Sequence, residues 1–142
     1  MSLYERFGGQ AEFVLVYIRE AHALDGWCLD HTGWSIIADA RNAAERKAAA
    51  AQSCSMLKLP FTTVVDTMDD AVSERWSAWP ERLFVIGRDG RVAYVGAQGP
   101  WGFWPVAATP PFGAGPGSNV DHGKPLDTFL EHFLAPAAAA GS

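Results

Sequence analysis

The sequence predicts an α/β fold, and three observations carry that expectation. The apolar run Phe13-Val14-Leu15-Val16-Tyr17-Ile18 has the β-branched and aromatic content of a buried strand. The Ala-rich stretch 42–57 has helical composition and leads into a second short β-branched run at 62–65. Residues 83–95 then read as a hairpin about Asp89-Gly90, with an amphipathic helix following at 125–134.

Each element has its own signal. Leu3 to Phe7 reads as the last turn of a helix stopped by Gly8-Gly9. The strand at 13–18 is apolar enough to be covered on both faces, then turns abruptly polar at Arg19-Glu20-Ala21-His22. Residues 20–39 form a loop with turn signals at Asp25-Gly26 and Thr32-Gly33, longer than a plain connection needs. Lys58-Leu59-Pro60 ends the Ala-rich helix. Asp69-Asp70 can open a helix over 71–78, because acids favour the amino end, and Pro80 breaks the chain after it. Leu83 to Ile86 and Arg91 to Val95 are the hairpin arms. Residues 96–123 are rich in Gly and Pro and have no period, so they read as a loop, with 105–123 as an insert. Leu126, Phe129, Leu130 and Phe133 share one face of the last helix, and 135–142 reads as a flexible tail.

Composition narrows the function. The 142 residues suit one domain, expected over 1–134, and 49% of them are hydrophobic, enough for a core. The net charge of −5 comes with no basic stripe, so nucleic acid is not an expected partner. The longest apolar run is far short of the roughly 18 residues that span a bilayer, and no leader pattern opens the chain. No membrane partner and a cytoplasmic location are therefore expected. The two cysteines, Cys28 and Cys54, form no Cys-x-x-Cys pair. His22, His31, His122 and His132 are too scattered for a zinc motif, and no phosphate loop is present, so neither metal nor cofactor is expected.

The candidate chemistry lies after the first strand. A strand that delivers a carboxylate and an imidazole at its carboxyl end puts them where open α/β sheets usually place a site. Glu20 and His22 alternate about Ala21, so in an extended chain they share a face. The plain alternative is a strand end turning polar at the surface. Cys28 follows Trp27 at the mouth of the same loop, where a nearby cation would make its thiol reactive; otherwise it is an ordinary free thiol. Cys54, beside Met56 and Leu57, reads as a buried inert cysteine.

The element order resembles the later part of a thioredoxin-type three-layer sandwich. Asp66, Pro80-Glu81-Arg82 and Leu83-Phe84-Val85-Ile86-Gly87-Arg88-Asp89-Gly90 resemble its peroxiredoxin branch. Tyr17-Ile18-Arg19-Glu20-Ala21-His22-Ala23-Leu24-Asp25-Gly26-Trp27 is similar to a block of the iodothyronine deiodinase family. Val65-Asp66-Thr67-Met68-Asp69, Pro80-Glu81-Arg82-Leu83 and Gly99-Pro100-Trp101-Gly102-Phe103 resemble further blocks in the same order, so the likeness covers residues 4–105 and the last helix.

The resemblance implies a bacterial-type oxidoreductase that reductively deiodinates, using a thiol reductant as electron donor. It implies Glu20 and His22 as the acid/base pair, with Arg82 polarising the nucleophile; the alternative for Arg82 is an ion pair with Glu81, Glu20 or another acid. Trp27, Trp101, Phe103 and Trp104 would line a pocket for an iodinated or phenolic small molecule, or merely cap a core. A second family histidine falls near Asp39-Ala40-Arg41, where no histidine stands. Family members carry a selenocysteine or cysteine after the first core strand, ahead of the strand at 13–18. The expectation is thus a fold truncated at its N-terminus, lacking that strand and the nucleophile loop, with weak or no activity. A homodimer is expected to cover the sheet edge so opened. The alternatives are a non-catalytic or truncated interaction module, and a peroxiredoxin-like thiol oxidoreductase using Cys28.

Overall fold

Capping chemistry accounts for where most of the helices begin. In the computed structural model, which describes residues 2–29, 37–115 and 122–136, the Ser2 side chain accepts the Glu5 amide while Glu5 bonds back to the Ser2 amide. This reciprocal pair opens helix α1, Leu3–Phe7. Strand β1 is Val14–Tyr17. Helix α2, Ala43–Leu57, starts where the Asn42 side chain accepts the Ala44 and Glu45 amides, and ends at Lys58 in the left-handed region. Strand β2 is Thr62–Val65, helix α3 Ala71–Trp76, strand β3 Phe84–Ile86, strand β4 Val92–Val95 and helix α4 Leu126–Phe133. The Thr32-Gly33 turn, His31, Trp34, residues 116–121 of the insert and the tail past 136 lie outside the described residues.

The architecture is mixed α/β, in two compact units: Phe13–Pro80, and Met1–Glu12 with Glu81–Ser142. In the first, β1 pairs parallel with β2 in the register Val14 to Thr62 through Tyr17 to Val65, and α2 supplies the crossover. Asp66 extends the ladder by donating its amide to the Tyr17 carbonyl at 2.8 Å. The expected two-sided burial of β1 does not hold. Its residues alternate, with Val14 (58% exposed) and Val16 (37%) outward and Leu15 and Tyr17 half-buried. Val64 of β2 is outward too. Helix α2 packs on this short two-stranded sheet, and among the described residues of this unit no second layer covers those valines.

The start of α3 also departs from expectation. Asp70 sits at its N-cap in the left-handed region and makes no capping bond; its carboxylate turns to Arg46 instead. The cap is Asp66, which accepts the Thr67, Val72 and Ser73 amides at 2.8, 3.1 and 2.8 Å. The helix ends at Trp76 because Ser77 enters the left-handed region.

In the second unit β3 and β4 form the expected hairpin, with Gly90 at positive φ in the turn and a register shift at Val85/Ile86. Tyr94 of β4 packs on Phe129 of α4 at 5.0 Å, and Leu126 and Leu130 are buried. Asp127 ties this unit together: it accepts the Ala107 amide at 2.9 Å and pairs with Arg6 of α1 at 3.0 Å. Burial pushes the Asp127 carboxyl up, but these bonds outweigh it and hold it below the ordinary aspartate value. Among the described residues no helix is long and apolar enough to cross a membrane.

Candidate functional site

The chain leaves β1 at Tyr17 and immediately builds a small polar cluster. The Tyr17 hydroxyl donates to the Glu20 carboxylate. Tyr17, Arg19, Glu20, Asp39 and the buried Arg46 line a shallow depression at the carboxyl end of the strand. Burial pushes the Glu20 carboxyl above the ordinary glutamate value; the Asp39 charge adds to this and the nearby His22 partly offsets it. A carboxyl raised this way keeps its proton to higher pH, as a proton donor requires.

His22 is held differently from the expectation that a carboxylate sets its tautomer. Its Nδ1 lies 3.1 Å from the Trp27 carbonyl oxygen. A carbonyl can only accept, so the contact requires the hydrogen on Nδ1 and leaves Nε2 as the proton-accepting nitrogen of the neutral ring. The His22 and Trp27 rings also meet edge to face at 4.7 Å, although Trp27 is 67% exposed. Glu20 and His22 are thus brought near each other and each is held by a separate partner.

The loop bearing them is closed by its own backbone. The Gly26 amide donates to the Ala23 carbonyl at 3.0 Å and the Cys28 amide to the Gly26 carbonyl at 2.9 Å. Two bonds cross to the far side of the loop: the Leu24 amide to the Ile37 carbonyl at 3.0 Å, and the Asp39 amide to Asp25 Oδ1 at 2.8 Å. The Asp39 amide, with Arg41 3.8 Å away, holds the Asp25 carboxyl below the usual aspartate value. The Asp25-Gly26 turn was legible in sequence. The role of the Asp25 carboxylate as a clasp was not, because Asp39 lies 14 residues further on.

Cys28 is a half-buried free thiol on this loop. Cys54 is also half-buried, and its thiol donates to the Thr63 hydroxyl at 3.2 Å, a bond from α2 to β2 rather than the apolar burial expected for it. Behind the cluster, the guanidinium of Arg46 donates from Nη1 to the Thr67 carbonyl (2.6 Å) and to Asp70 (2.8 Å), and Arg19 lies over the Trp79 ring. The tie from Arg46 to the 66–70 turn was missed in sequence, since an arginine in an Ala-rich helix reads as a solvated side chain.

The remaining candidates belong to the other unit. Arg82 is half-buried, donates from Nε to the Gly96 carbonyl at 2.7 Å and lies over the Phe84 ring at 5.6 Å. The Trp101 ring lies tilted against Phe112 with centroids 4.9 Å apart and Trp101 is 44% exposed, and Phe103 is 36% exposed. Trp104 buries its indole nitrogen without a hydrogen-bond partner, while its carbonyl accepts the Leu126 amide at the start of α4. Trp104 therefore serves the seam between the loop and α4, whereas Trp101 and Phe103 present ring surface to solvent.

These features define an α/β protein with a carboxyl–imidazole pair at the carboxyl end of a parallel strand. The sequence matches the model of the iodothyronine deiodinase family over residues 1–107. It is 38% identical over 105 residues to the type I iodothyronine deiodinase of Xenopus laevis, covering 73% of this chain and 40% of that protein. It is 36% identical over 112 residues to a thyroxine 5-deiodinase of Aquarana catesbeiana (72% and 39%), and 36% identical over 104 residues to the type II iodothyronine deiodinase of Bos taurus (70% and 38%). The chain belongs to the iodothyronine deiodinase family, and it spans about two-fifths of the length of these relatives.

Proposed function

We propose that this chain carries the proton-handling part of a thiol-dependent reductive deiodination site on a thioredoxin-like sandwich. The parallel β1–α2–β2 unit, the hairpin and the helix after it support that fold. The observation that carries the function is His22, held through Nδ1 by the Trp27 carbonyl beside a Glu20 whose carboxyl burial pushes above the ordinary glutamate value. In the proposed reaction a thiolate or selenolate attacks the iodine of an iodinated phenol. The carbon–iodine bond breaks with its electron pair left on the ring carbon, and His22 in its imidazolium form gives that carbon the Nε2 proton, becoming the neutral Nδ1–H ring. The resulting sulfenyl or selenenyl iodide is reduced by a second thiol, forming a disulfide or selenenyl sulfide and releasing iodide and a proton. Glu20 reprotonates His22, and the exposed face of Trp27 beside the imidazole serves phenol binding.

The test is iodide release from an iodinated phenol with excess dithiothreitol, which supplies both the attacking thiolate and the two electrons. Release is expected to be weak but faster than with dithiothreitol alone, and His22→Gln should remove most of that excess. General acid catalysis contributes about 10²–10⁴-fold when fully assembled. Release no faster than with dithiothreitol alone would refute the reading.

A second reading, a thiol oxidoreductase using Cys28, is favoured by the position of that thiol one residue past the Trp27 carbonyl that binds His22. Full thiol-dependent peroxide turnover by Cys28→Ala would exclude it.

A further inference from the structure

We infer that Asp25 is the positioning residue of the candidate site, clasping the loop so that the Trp27 carbonyl stays on His22 Nδ1 and Asp39 stays beside Glu20. The inference rests on the proposed role of the Glu20–His22 pair, and it starts from a mechanical question. Trp27 is 67% exposed, so burial does not fix its carbonyl. The short turn bonds, Gly26 to Ala23 and Cys28 to Gly26, shape the turn without tying it to anything else. Among the described residues, two long-range bonds tie it to the far side of the loop, from the Leu24 amide to the Ile37 carbonyl and from the Asp39 amide to Asp25. Of these, the bond to the Asp25 carboxylate is the one made by a side chain, and Asp25 lies between His22 and Trp27 in sequence. A charged acceptor on a backbone N–H makes a stronger bond than a carbonyl does.

The same bond acts on both members of the pair. Through residues 25–27 it sets the direction of the carbonyl that His22 uses. Through the Asp39 amide it holds the segment whose Asp39 and Ala40 line the depression with Glu20. Arg41, 3.8 Å from the second Asp25 oxygen, keeps the carboxylate turned toward this segment. Asp25 itself touches neither ring nor carboxylate of the pair. Its effect passes through the backbone.

The consequence is read on His22 by nitrogen and carbon NMR of the imidazole at a pH where the ring is neutral. In the unaltered protein His22 should be the Nδ1–H tautomer. Asp25→Ala should lose that single tautomer and give a mixture with Nε2–H, while Asp25→Asn, which retains an oxygen for the Asp39 amide, should restore it. A merely structural aspartate would lower the melting temperature in both variants and leave the tautomer alone; that result, or an Nε2–H tautomer in the unaltered protein, overturns the inference. If Asp25→Ala does not fold, amide exchange in the unaltered protein decides. The Asp39 amide should be protected as strongly as that of Leu24, and an unprotected Asp39 amide overturns the clasp. No readout here uses iodide, so a failed deiodination assay and a failed clasp are told apart.

Discussion

Removing the Asp66 carboxylate is the sharpest perturbation of this fold. Asp66 is 5% exposed and accepts three backbone amides, which begin α3 and close the turn after β2. In Asp66→Ala the Thr67 and Val72 amides, on exposed residues, regain water. The Ser73 amide does not, because Ser73 is 4% exposed. A buried donor left without a partner costs about 1–3 kcal/mol, and loss of a cap about 0.5–2 kcal/mol, so about 3 kcal/mol is expected in all. Asp66→Asn should lose about 2 kcal/mol, since its amide nitrogen must face one of the same N–H donors. The pH dependence has a definite sign. Burial pushes the Asp66 carboxyl up, but the Ser73, Val72 and Thr67 amides and the Arg46 charge outweigh it and hold it below the ordinary value. Its stabilisation is therefore present above the unfolded aspartate value of about 3.9 and is lost as pH falls through the lower folded value. Urea denaturation followed by circular dichroism, at pH 7 and then downward, should give a gap between the unaltered protein and Asp66→Asn that narrows below about pH 4. An Asp66→Ala variant within about 0.5 kcal/mol of the unaltered protein at pH 7 would refute the reasoning.

Glu20 should behave in the opposite sense. Its folded carboxyl lies above the unfolded value, so the unaltered protein loses stability relative to Glu20→Gln as pH rises from about 4 through the folded value; melting curves at stepped pH check this, and a constant difference would contradict it. Gly113 sits at φ +74° with an added Cβ only 2.7 Å from the Trp101 ring, so Gly113→Ala should cost about 1–3 kcal/mol and reduce the near-ultraviolet tryptophan signal. An unchanged spectrum would mean that the Trp101–Phe112 ring contact does not depend on the turn.

Local patterns carried most of the elements. The Ala-rich stretch behind Asn42, the four β-branched and threonine residues at 62–65, and Asp89-Gly90 between two apolar arms became α2, β2 and the β3–β4 turn, because capping, strand propensity and turn geometry act over a few residues. The family and the coarse α/β class were legible for the same reason: the Tyr17–Trp27 block is contiguous. The candidate pair Glu20 and His22 was legible as residue types in that block.

Tertiary structure decided who holds each side chain. Apolar composition could not say that β1 would have one uncovered face, since burial depends on what packs above the sheet rather than on the strand itself. Two adjacent acids marked a helix start at 69–70, yet the capping went to Asp66, whose carboxylate the β2 ladder delivers into the amides of the next helix. Asp70 was drawn instead to Arg46, 24 residues away. The imidazole was written in the sequence, but its Nδ1–H tautomer was not. That follows from the Trp27 carbonyl and a loop closed between Asp25 and Asp39, and contacts of such separation exist only once the chain has folded.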